Sequence, residues 1–98
     1  MNLVLTELEY KVIDSVKEVF DEQGNIKLCG RHACMNLINE INELTLVKEK
    51  SSIKSLEELK ALATNINFGD INTGFINISE LKSHNLEGII GGIFNEIR

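Results

Sequence analysis

Apolar residues recur at intervals of three and four along most of the chain, the spacing of helices that bury one face. Leu8, Val12, Val16, Val19 and Phe20 form the first such stripe. It opens behind Thr6 and Glu9, a Thr-x-x-Glu pattern in which each side chain satisfies a free backbone N–H of the first turn. Leu5 and Tyr10 occupy the hydrophobic-staple positions around it. Asp21-Glu22-Gln23-Gly24 ends this helix, and Gly24 suits a left-handed terminal conformation. Residues 25–28, Asn-Ile-Lys-Leu, alternate and predict a short strand.

The second helix is expected from about residue 31 to residue 44. Cys34, Leu37, Ile38, Ile41 and Leu44 face inward, while Asn36, Asn39, Glu40, Asn42 and Glu43 cover the other side. After the polar connection at 48–52, Ser55 and Glu58 read as a second capping box. Leu56, Leu59, Leu62, Ala63 and Ile66 give that third helix its buried face. The turn-rich residues 68–74 precede a second strand candidate at 75–78, Phe-Ile-Asn-Ile. A last helix is expected from about 85 to 97, with Leu86, Ile89, Ile90, Ile93, Phe94 and Ile97 in register.

The two loops share a pattern. Gly24-Asn25-Ile26-Lys27-Leu28 and Gly74-Phe75-Ile76-Asn77-Ile78 both read G-x-I-x-[LI]. Two helix–loop–helix units whose short strands pair antiparallel fit this layout. The expected fold is therefore mainly α, one domain over residues 1–98. It has four helices and a short two-stranded antiparallel ribbon, an EF-hand-like pairing without ligands. A winged helix, with the third helix as the DNA reader, is the alternative.

Gly74-x-Ile76-x-x-x-Glu80-Leu81 is similar to the second half of an EF-hand calcium loop. The first half departs from it. Gly69 and Ile71 stand where ligands belong, Asp70 and Asn72 are out of register, and Gly30 stands where the first loop needs a glutamate. Neither loop supplies the oxygens a hard cation requires. Cys29, His32, Cys34 and His84 have the composition of a zinc site, the basis of a small metal-binding alternative, but their spacing is unusual. No metal or other cofactor is therefore expected. Gly69 and Gly74 lack the Lys-Ser/Thr of a phosphate loop, and no nucleophile has a base and an orienting third group beside it. The expectation is a protein that is not an enzyme.

Composition adds three points. Hydrophobic residues make up 43% and charged residues 26%, so a folded domain is expected rather than disorder. The formal charge is −5 and the basic residues are scattered, which weighs against holding nucleic acid through phosphates. No apolar run is long enough for a membrane span, and residues 1–7 lack the pattern of a signal peptide. A cytoplasmic location is expected, with Cys29 and Cys34 reduced. Absent proline with abundant Ile, Asn, Lys and Glu matches the coding bias of low-GC bacteria and their phages.

Two surfaces are candidates for partner binding. Glu7, Asp14 and Glu18 form an acidic face on the first helix, complementary to a basic groove. Gly88, Gly91, Gly92 and Asn95 lie opposite the apolar arc of the last helix. Three glycines there forgo roughly 2–3 kcal/mol of helix stability. Either the strip admits close approach by a neighbouring helix, a second protomer in a homodimer or a partner protein, or the helix breaks at Gly91 and Gly92. The functional expectation is a non-enzymatic acidic protein-binding module. An anti-CRISPR-like phage or mobile-element inhibitor that blocks a nucleic-acid-handling enzyme is one such protein. A winged-helix transcription regulator is the alternative.

Overall fold

The computed structural model describes residues 5–96. It contains α1 (Glu7–Val19), α2 (Arg31–Thr45), α3 (Lys54–Asn65), β1 (Gly69–Asp70), β2 (Phe75–Ile76), α4 (Ile78–Lys82) and α5 (Leu86–Glu96). The chain is mainly helical with a small two-stranded antiparallel sheet.

Helix α1 starts as its opening residues dictate. The Thr6 N–H donates to Glu9 Oε1 at 2.8 Å, and the Glu9 N–H donates to Thr6 Oγ1 at 3.1 Å. Val12, Ile13, Val16 and Val19 are buried against α2, which contributes Ala33, Leu37, Ile38, Ile41 and Leu44. Ser15 crosses the same interface and donates its hydroxyl to Glu40 of α2. Helix α3 packs on α2 and on α5, whose Leu86, Ile89, Ile90 and Ile93 complete the core.

Five expectations need correction. The third helix does not open with a Ser55–Glu58 capping box. It begins at Lys54 behind Ile53, and Ser51 serves its entry. The Ser51 hydroxyl accepts the Ile53 N–H at 3.1 Å, and Glu57 Oε2 accepts the Ser51 N–H at 3.1 Å. Ser55 is drawn away by Glu96, whose Oε2 accepts both its N–H at 3.2 Å and its hydroxyl at 2.7 Å. A bond to a residue 41 positions away outweighs a local cap.

The ribbon is present, but its strands do not come one from each loop. β1 pairs with β2, Gly69 opposite Ile76 and Asp70 opposite Phe75. The first loop closes on itself in the same manner, through a bridge between Phe20 and Ile26. The likeness extends to hydrogen bonds: the Lys27 N–H donates to Val19 O at 2.8 Å, and the Asn77 N–H donates to Phe68 O at 3.0 Å. Gly24 and Gly74, at φ +77° and +74°, reverse the chain in the left-handed region where glycine is favoured. The shared G-x-I pattern therefore encodes one turn used twice. Local closure brings the flanks together over few residues, which costs less chain entropy than pairing distant loops.

Among the described residues there are five helices rather than four. α4 ends at Lys82, and Asn85, at φ +65°, turns the chain into α5. α5 is unbroken through Gly91 and Gly92, so the expected alternative of two short pieces does not hold. The hairpin also lies close on α2 rather than projecting as a wing. A Cβ on Gly74 would stand 2.8 Å from Arg31 Cγ and 3.2 Å from Met35 Cγ.

Candidate protein-binding surface

Helical geometry places Glu7, Asp14 and Glu18 within an arc of about 40°, with Lys11 in the same line. All four are exposed. Lys11 lies 3.9 Å from Glu7. Among the described residues no cation pairs with Asp14 or Glu18. Lys17, the other cation of α1, lies off this line and holds its ammonium 5.7 Å from the centre of the Phe94 ring on α5. The acidic line runs towards the first turn, where Glu22 is also exposed.

The glycine strip of α5 has a different fate. A Cβ on Gly92 would meet Ser55 Cβ at 3.0 Å, so the close approach is made by α3 of the same chain. Gly91 faces the Glu22 carbonyl of the first turn at 3.6 Å. At Gly88 the neighbour is the Asn85 side chain at 2.7 Å. Gly91 and Gly92 are half-buried, while Gly88 and Asn95 are exposed. Residues named together as one surface are thus divided between an internal helix contact and the exterior.

Sequence reading missed the apolar side chains left in water. Leu28 is fully exposed at 109%, Phe75 is 61% exposed, and Ile26 and Ile71 stand at 43% and 36%. Ile26 and Leu28 belong to the first turn, Ile71 and Phe75 to the second. Both turns adjoin the start of α2: Leu28 precedes Arg31 by three residues, and Gly74 rests on Arg31 and Met35. The available signal was brevity. A four-residue segment between Gly24 and Gly30 is too short to bury alternate side chains by pairing with a distant strand.

The residues of the zinc alternative are not brought together. Among the described residues no group of three or more His, Cys, Asp or Glu side chains converges on one point. His32 is exposed on the first turn of α2. His84 lies after α4, its Nδ1 3.0 Å from Glu80 O and 3.1 Å from Ser83 Oγ. Cys29 and Cys34 are both free and half-buried at the entry to α2.

The winged-helix alternative needs cations presented by α3. Lys60, inside that helix, donates its ammonium to Val47 O and, at 3.4 Å, to Glu49 O. It also lies 4.0 Å from Glu57. That charge anchors the connection between α2 and α3. A groove of about 440 Å³ between α3 and the start of α5 has Leu62, Ile66 and Ile89 in its walls and Glu58, Asn65 and His84 at its polar positions. Among the described residues no helix is long and apolar enough to cross a membrane. No protein-family model, curated protein or solved structure matches the chain.

Proposed function

We propose that the protein is a non-enzymatic binding module that docks, through the solvent side of α1, on a protein with a basic groove. A groove of this kind holds phosphates in enzymes that act on nucleic acid, and occupying it inhibits them. The observation that carries the reading is the exposed line of Glu7, Asp14 and Glu18, with no cation pairing the last two among the described residues. Such a line attracts a basic surface and orients it during encounter. The apolar side chains of the two turns supply the short-range contact that charge alone lacks.

The test uses two immobilised baits, the wild-type chain and the Asp14→Lys/Glu18→Lys double variant. A nucleic-acid-binding protein should be retained by the wild type at low salt and lost with the variant. Retention should also fall steeply as ionic strength approaches the range where the screening length is below about 10 Å. Equal capture by both baits, indifferent to salt, would refute the charge-led reading. A direct shift of DNA by the isolated chain would instead return the transcription-regulator alternative.

A further inference from the structure

We propose that Cys29 and Cys34 form a built dithiol site that closes reversibly to an intramolecular disulfide, with small-molecule disulfides as its oxidant. The fold places these two residues, for reasons unconnected with redox chemistry, at neighbouring positions around the start of α2. Gly30 is the N-cap of α2, with extended backbone at φ −68°, ψ 157°. Cys29 is therefore the residue before the cap and Cys34 the fourth of the helix. Those are the two hydrophobic-staple positions, whose side chains pack across the first turn. Leu5 and Tyr10 stand in the same relation around Thr6 of α1. In α2 the staple is made of two sulfurs.

Three observations support the site. Both thiols are free and half-buried, within reach of a small reagent. Both pack on the rim of the hydrophobic core, which holds them in place. Cys29 is the neighbouring group that acts on the Cys34 thiol. Burial, and then the neighbouring Cys29, push the Cys34 thiol up, which suits Cys34 to act second.

The exchange balances as follows. The Cys29 thiolate attacks one sulfur of a disulfide R–S–S–R, a Cys29–S–R bond forms, and the first RS⁻ leaves and takes a proton. The Cys34 thiolate then attacks the Cys29 sulfur, forming the Cys29–Cys34 bond and releasing the second RS⁻. Two protein thiols are oxidised, one external disulfide is reduced to two thiols, and the protons of the cysteines end on the released thiols.

The experiment equilibrates the purified chain in mixtures of reduced and oxidised glutathione, folded in buffer and unfolded in urea. Samples are quenched with acid and read by intact and peptide mass. The folded wild type should lose two hydrogens in a Cys29–Cys34 link. Its equilibrium constant should exceed that of the unfolded chain by about tenfold or more, equivalent to about 1.4 kcal/mol. Cys29→Ser and Cys34→Ser should each stop at the mixed disulfide with glutathione. A folded wild type that stays reduced, ends in mixed disulfides or links between chains overturns the proposal. So does an equilibrium constant no larger than in urea, because the fold would then contribute nothing to the pairing.

Discussion

Gly30→Asp should make the protein markedly more stable, and the size of the gain follows from how α2 begins. The first N–H groups of a helix lack partners within it. At α1 the Thr6–Glu9 exchange supplies partners; at α2 Gly30 has no side chain to offer. Its backbone is already in the extended region that capping residues adopt, and a Cβ there meets no atom within 4 Å. No acidic residue occupies the first turn of α2, which opens instead with Arg31 and His32. An aspartate would accept an N–H from that turn, worth a few tenths of a kcal/mol over glycine. Loss of glycine's freedom in the unfolded chain adds about 0.4–1 kcal/mol. A carboxylate at the positive end of the helix adds about 0.3–1 kcal/mol. The sum is about 1–2 kcal/mol, or a rise in Tm of about 4–16 °C for a domain of this size. Gly30→Ala separates the contributions: it keeps the entropy gain but is a poorer cap than glycine, so it should be close to neutral. The assay is urea unfolding at neutral pH with both cysteines kept reduced, reading the midpoint at constant slope. An aspartate variant no more stable than the alanine variant would refute the placement of the α2 start at Arg31.

The α5 glycines should separate in the same assay. Gly91→Ala should gain about 1 kcal/mol from helix propensity. Gly92→Ala should fall about 1–3 kcal/mol below it, because its Cβ is forced against Ser55; equal values would mean that α3 and α5 do not touch there. For Glu9, burial pushes the carboxyl up, but hydrogen bonds from the Ser51 hydroxyl and from Thr6 outweigh it and hold the group below its ordinary value. A depressed value means stability that is fully present above the unfolded pKa of about 4.3 and is lost as pH falls through the lower folded value. Glu9→Gln should therefore be less stable than wild type at neutral pH, with the difference shrinking below about pH 4.3; a difference constant from pH 7 to pH 3 would contradict the hydrogen-bonded carboxylate. Leu28→Ser should change stability by less than about 0.5 kcal/mol, whereas Phe20→Ala, eight residues before that fully exposed leucine and wholly buried, should cost about 3–5 kcal/mol.

Local patterns were legible where local forces decide. The Thr6–Glu9 exchange, the start of α2 at Arg31 and the positive φ of Gly24 each depend on residues within one turn of each other, and each is found as read. The stripes of α1 and α2 were legible because a half-buried helix repeats its apolar face. What escaped is non-local. Ser51, Ser52 and Ser55 are all capable of serving α3, and the choice falls on Ser51 because Glu96 holds Ser55. Gly91 and Gly92 weaken a helix considered alone. α5 passes through them because Ser55 and the Glu22 carbonyl pack where side chains would otherwise stand. Asn85 in the left-handed region, which divides α4 from α5, sits in a polar stretch with no hydrophobic period to mark the break.

The repeated turn connects fold and surface. Had the two loops paired with each other, Ile26 would have lain across from its counterpart Ile76, covered by a shared ribbon. Each loop instead closes on its own flank, Phe20 with Ile26 and Gly69 with Ile76. In the second turn this buries Ile76 against α2; in the first it leaves Ile26 at 43% exposure and Leu28 wholly in water. The exposed apolar groups of the two turns are thus a consequence of how the backbone satisfies its hydrogen bonds, and both turns adjoin the start of α2, while Tyr10 on α1 and Leu46 at the far end of α2 are exposed apart from them. The acidic line of α1 leads towards the same first turn through Glu18 and Glu22. Charge and apolar contact act at different stages of an encounter. Long-range attraction raises the rate at which a basic partner arrives, and short-range desolvated contact lowers the rate at which it leaves. A surface in which the acidic line runs into the apolar turn joins both stages along one path, which is why the turn, as much as the helix, belongs to the proposed binding face.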